Sequence, residues 1–145
     1  METGTLIVES SNRHPELVRI YTREQPPAVL QQTPESDPRI RYMATFEDVD
    51  AAAMHAHEAL RRRLVDLDNR LYRVELLTAI AAVEAIGLHH RRVFLDPELD
   101  TPAREAIAAK ATRRVARRRR LNRIWTGVGW FALGLLLLRA LFDLL

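Results

Sequence analysis

No cysteine occurs in the 145 residues, which removes disulfides, thiolate nucleophiles and cysteine-ligated metals from consideration. Lysine is almost as scarce, since Lys110 is the only one of 22 basic residues that is not arginine. Five glycines leave little material for a tight catalytic turn. The chain has no G-x-S-x-G elbow, no phosphate-binding glycine loop and no H-E-x-x-H pair. The opening METGTLIVES lacks a basic stretch followed by a long apolar run, so no cleavable signal peptide is expected. These absences argue against an enzyme, and no cofactor is implied.

The histidines and carboxylates agree with that reading. His55 and His57 form H-A-H beside Glu58, but residues two apart on a helix point about 200° from each other. They cannot share an ion and read as helix-surface histidines. His89 and His90 adjoin Arg91 and Arg92, whose charge repels a cation, so no metal site is expected. Glu75 and Glu84 face opposite sides of a helix and form no catalytic pair. Arg70, Arg73 or Arg91 are their expected partners.

What the chain does have is a charge gradient: −4 over residues 1–50, −1 over 51–100 and +8 over 101–145. An acidic front and a basic back suggest an oriented molecule whose basic end meets something anionic. Residues 5–9 (TLIVE) and 17–21 (LVRIY) are β-prone runs around the turn-forming SSNRHPE, which predicts a small N-terminal β-hairpin. Residues 39–44 (RIRYMA) are a candidate third strand. Between them QPPAVLQQTPESD reads as a proline-rich linker, closing a β-prone element over 1–44.

Thr45, followed by acidic residues and a proline-free stretch, predicts a long helix from about Phe46 to Ile86 within a segment spanning 45–88. Leu60, Leu64, Leu67, Leu71 and Val74 recur at alternating spacings of four and three, the seam of a left-handed coiled coil. That seam is the expected surface of a homo-oligomer. Leu76, Leu77, Ile80, Val83 and Ile86 lie outside it and demand cover on several sides. A loop over 89–101 leads to Thr101, an expected N-cap before Pro102, and to a basic helix over 102–123.

Nine basic residues fall between Arg104 and Arg123 against a lone Glu105. Residues 124–145 follow, about 33 Å of helix against a hydrocarbon core of roughly 30 Å. This predicts a transmembrane tail anchor, with Trp125, Trp130, Arg139 and Asp143 near its interfaces. Arg113, Arg114, Arg117, Arg118, Arg119, Arg120 and Arg123 are then the expected contacts for anionic lipid headgroups or another anionic partner. The positive-inside rule orients the N-terminus to the cytoplasm, on the inner membrane of a bacterium or an organelle outer membrane of a eukaryote. WTGVG, residues 125–129, resembles the start of the C-terminal span in a family of small bacterial ribosome-associated inner-membrane proteins. The chain lacks that family's glycine-repeat span, and no family is assigned.

The fold class expected from these readings is a mainly α membrane protein: a coiled-coil-like helix, a C-terminal transmembrane helix and a small N-terminal hairpin. The function expected is that of a non-enzymatic scaffold or accessory subunit that self-associates and recruits a cytoplasmic protein partner to the membrane. The alternative is a membrane-tethered binder of ribosomes or nucleic acid acting through the arginine run.

Overall fold

The computed structural model describes residues 2–27, 32–33 and 35–144, the side chains of 137, 138 and 140–144 excepted. Part of the expected linker therefore lies outside the described residues. The chain divides into two compact units, Met1–Thr112 and Arg113–Leu145.

The first unit is an α/β domain built on a six-stranded antiparallel sheet. Strands β1 (Gly4–Ser10), β2 (Leu17–Arg23) and β3 (Arg39–Phe46) form its centre, and the short β4 (Leu64–Asp66), β5 (Leu71–Arg73) and β6 (His90–Leu95) extend it. Their order across the sheet is β4-β5-β2-β1-β3-β6. Runs such as Leu6-Ile7-Val8 are extended because β-branched side chains fit a pleated surface better than a helical turn. Alternation then sorts them: Leu6, Val8, Val18, Ile20, Tyr42 and Ala44 share the face that forms the main core. Ile7 and Met43, on the opposite face, are also buried.

Two short helices, not one long one, cover the core face. Helix α1 (Val49–Leu60) begins at Asp48, whose carboxylate accepts a hydrogen bond from the Ala51 N–H at 3.0 Å. Phe46 ends β3 instead of opening the helix. Val49, Ala52, Ala56 and Leu60 are the buried stripe of α1. Gly4 lets this helix approach β1, since a Cβ there would lie 2.8 Å from Val49 Cγ1 and 3.0 Å from the Arg23 carbonyl oxygen. Helix α2 (Leu76–Glu84) buries Ala79, Ile80 and Val83, which supplies the cover its apolar surface requires.

The expected coiled coil is corrected on physical grounds. A 3₁₀ turn at Arg61–Arg63 ends the helix, and residues 64–73 turn back on themselves as a β-hairpin, β4 pairing with β5. Leu60 and Val74 are buried, Leu64 and Leu71 are partly covered, and Leu67 is exposed, so the five do not form one helical face.

Helix α3 (Thr101–Leu144) is capped by Asp100, whose Oδ1 accepts from the Ala103 N–H at 2.8 Å, not by Thr101. Ile107 enters the core, and Lys110 Nζ donates to Glu75 Oε2 at 2.6 Å and to Thr78 Oγ1 at 3.1 Å. Among the described residues no helix is long and apolar enough to cross a membrane. The apolar stretch with described side chains covers 124–136, about 20 Å of helix, and is diluted by Thr126, Gly127, Gly129 and Gly134. This overturns the transmembrane anchor and the inner-membrane placement drawn from it. Of the rest, Arg139 has a described side chain, whereas Asp143 lies outside the described side chains.

A buried charge cluster fastens the β6 end of the sheet. Asp96 is fully buried and accepts from Arg39 Nη2 and Arg41 Nη1, both at 2.8 Å, while its own N–H donates to the Arg41 carbonyl. Glu98 pairs with Arg39 at 2.7 Å, and that guanidinium holds the Glu98 carboxyl below its usual range. Removing one member of a buried pair leaves uncompensated charge. Asp96→Ala is therefore expected to lower unfolding free energy by about 3–5 kcal/mol, read from urea denaturation.

Candidate functional site

Strand β2 has seven residues and β5 has three, and this mismatch shapes the outer part of the sheet. β5 pairs with β2 only from Leu17 to Arg19, and the last rung is the Ile20 N–H donating to the Arg70 carbonyl at 3.1 Å. Antiparallel strands direct successive residues alternately to either neighbour. Because Ile20 points outward, Thr22 does too, and among the described residues no strand pairs with that edge.

The turn before β5 sets where the pairing stops. Asp66 accepts from the Asp68 N–H at 2.9 Å, the Asn69 N–H at 3.2 Å and Asn69 Nδ2 at 2.7 Å. The Asn69 side chain holds the Asp66 carboxyl below the usual aspartate range. Arg70 then takes φ of 49°, a left-handed conformation that costs an L residue about 1–2 kcal/mol.

Between this unpaired edge and α1 lies a cavity of about 670 Å³, lined largely by apolar groups such as Leu6, Ile20, Ala53, Met54 and Leu67. Met54 and Leu67 are 73% and 63% exposed. His57 Nδ1 lies 3.0 Å from the Tyr72 hydroxyl, and burial pushes the Tyr72 phenol up from its ordinary pKa. Asp50, His55, Glu58 and Arg70 are the cavity's other charged or titratable groups beside Tyr21, and Thr22 adds a hydroxyl. A second recess of about 620 Å³ flanks Thr22 and carries Glu2, Glu24 and Asp50. The result is a groove with apolar walls, with Arg70 and an Arg61-paired Glu58 in the main cavity and Glu2, Glu24 and Asp50 in the recess beside Thr22.

His55 and His57 are half-buried on α1 and both line this groove, and His57 is tied to Tyr72. Among the described residues no group of three histidines, cysteines or carboxylates is placed to hold a metal. Leu67 alone of the expected seam reaches the cavity. Glu75 pairs with Lys110 and Glu84 with Arg92 at 2.8 Å, in place of the arginines expected. The Glu84–Arg92 pair fastens β6 to α2, and burial beside it pushes the Tyr42 phenol up from its ordinary pKa.

Along α3, Arg113, Arg117, Arg118, Arg119, Arg120 and Arg123 are exposed and Arg114 is partly covered. Trp125 and Trp130 are each more than two-thirds exposed, and Arg139 is exposed. The groove itself was not foreseen. Its signal was present in DLDNR, residues 66–70, where turn-forming side chains separate two β-prone runs.

Comparison with protein-family models, with curated proteins and with solved structures gives no significant match.

The lowered Asp66 carboxyl carries a pH consequence. A group whose folded pKa is depressed contributes stability above its unfolded pKa and loses it as pH falls through the folded value. Carboxylate NMR should place the Asp66 midpoint below the ordinary aspartate range. The hydrogen-exchange protection of Leu71 should weaken as that group protonates, and Asp66→Asn should remove this acid dependence.

Proposed function

We propose that this chain is a non-enzymatic recruitment module and that the groove between α1 and the outer edge of β2 holds a segment of a protein partner. One observation carries the reading: exposed Met54 and Leu67 stand at the mouth of an apolar cavity beside an unpaired strand edge. Scattered apolar side chains are ordinary on a protein surface, but a concave apolar cluster with a few convergent polar groups fits a binding site. Unpaired strand edges are also natural templates for another chain. A photo-crosslinking residue in place of Met54 should give an adduct confined to one peptide segment of one partner. The same residue in place of Arg62, outside the cavity lining, should not. Equal adducts from both positions would remove the groove from the reading.

A second reading is supported by the arginine run. Arg113, Arg117 and Arg120 fall within one helical face, and Arg117, Arg118, Arg119, Arg120 and Arg123 are all exposed. Such a stripe suits the phosphates of nucleic acid, where each contact contributes a slope of about −0.7 to −0.9 in log affinity against log salt. Anisotropy with a single-stranded oligonucleotide should then show steep salt dependence. Replacing Arg117, Arg118 and Arg120 by glutamine should flatten it by roughly two to three units. A salt-independent wild-type signal would discard this reading.

A further inference from the structure

We infer that the occupant of the groove is the free C-terminus of a partner chain, added antiparallel to β2 with its carboxylate at Arg70 and basic residues toward Glu2, Glu24 and Asp50. The inference rests on the groove being the docking site and adds direction, chemistry and register.

The backbone supplies the first argument. Beyond Ile20 the outward-facing groups of β2 are the Ile20 carbonyl and both main-chain groups of Thr22, by the same alternation that directs the Ile20 N–H to Arg70. A bound strand would satisfy the Thr22 N–H and C=O as a hydrogen-bonded pair, the geometry of strand addition. Arg70 occupies the position opposite Ile20. The last residue of an added strand therefore falls opposite Tyr21 and the penultimate one opposite Thr22. Since Leu6 and Thr22 are paired and Leu6 faces the core side, the penultimate side chain points toward α1 and the apolar cavity.

The turn at Asp66 supplies the second. An antiparallel strand lying along the edge runs in the same direction as β5, so its carboxyl end meets the start of β5 at Arg70. The hairpin blocks further extension along the edge, which selects a chain terminus over an internal segment. A parallel strand would reverse the ends and bring an amino end to the arginine and a carboxylate to the acidic recess.

Electrostatics supply the third. Arg70 lines the cavity and its guanidinium suits a carboxylate, while the Glu58 carboxylate in the same lining is paired with Arg61 at 3.4 Å. Glu2, Glu24 and Asp50 line the recess at the opposite end, while Arg23, which also lines it, lies over the Tyr21 ring at 5.8 Å. Finally, Arg70 sits in the left-handed region where glycine or asparagine is easier. A strained backbone position that carries an arginine at the edge of a cavity supports a role for that side chain there.

The test uses the full chain and fluorescent hexapeptides with leucine in the penultimate position. One set ends in a free carboxylate and the other in an amide, with lysine or glutamate at the third and fourth positions before the leucine. A third form of the acid peptide carries an N-methyl group on the leucine nitrogen, which removes the donor to the Thr22 carbonyl without altering the protein. The lysine-containing acid peptide should bind at least tenfold more tightly than its amide, its N-methyl form and its glutamate counterpart. Arg70→Gln should abolish the preference for acid over amide. Equal binding of acid and amide, or full binding of the N-methyl peptide, would overturn the inference, as would no binding by any acid peptide at millimolar concentration. Met54→Asp separates the two levels. If it abolishes binding of peptides that show no preference for a free carboxylate, the groove reading survives and the C-terminal one does not. If it leaves peptide binding unchanged, the groove reading itself fails.

Discussion

The turn closed by the Asp66 carboxylate limits how far the sheet extends beside β2. Three donors from Asp68 and Asn69 converge on that one side chain, and the backbone has room to reverse only because Arg70 enters the left-handed region. β5 is therefore three residues long where β2 has seven. Had the reversal come a few residues later in space, β5 would have paired along Thr22 and closed the groove. An interaction at an exposed turn thus fixes which main-chain groups in the core strand β2 stay available.

The two sides of the sheet are managed differently. At the β6 side a buried carboxylate shared by Arg39 and Arg41 holds strand, loop and neighbouring strand together. Exposed Arg91 and Arg92 place charge along that edge. At the β4 side, the outermost strand is only three residues long and follows three exposed arginines, Arg61, Arg62 and Arg63. Short, charged edges resist unwanted strand pairing. The uncovered stretch of β2 lies inside this guarded perimeter and between two acidic and basic ends, so an added strand there is constrained in charge as well as in shape.

Legibility in the sequence followed the range of the forces involved. Strands over 5–9 and 17–21 lie within β1 and β2 because both are dense β-prone runs bounded by residues that favour turns. Residues 39–44 fall inside β3 for the same local reason. The segment from Leu60 to Val74 misled because its leucine spacing copies a heptad while its turn chemistry, DLDN, breaks it. Periodicity of apolar residues does not distinguish a helix seam from a hairpin whose inward positions happen to recur at similar intervals. The groove was invisible for a different reason. It arises from strands of unequal length meeting across the sheet, and neither β2 nor β5 encodes the other's end. The tail misled because its length, basic flank and tryptophans copy those of a membrane span, while the described part of α3 is not apolar over a long enough stretch to cross one.

Lys110 has a practical consequence that follows from its solitude. It is the only lysine in the chain, and its amine is occupied by Glu75 and Thr78 where α3 meets α2. Acetylation, isopeptide linkage and reductive methylation all need a lone pair on such a nitrogen, so side-chain amine chemistry converges on one position. The rate at which an amine-reactive reagent modifies Lys110 itself, resolved from any α-amine by peptide mapping, thereby reports how often that nitrogen leaves Glu75 and Thr78.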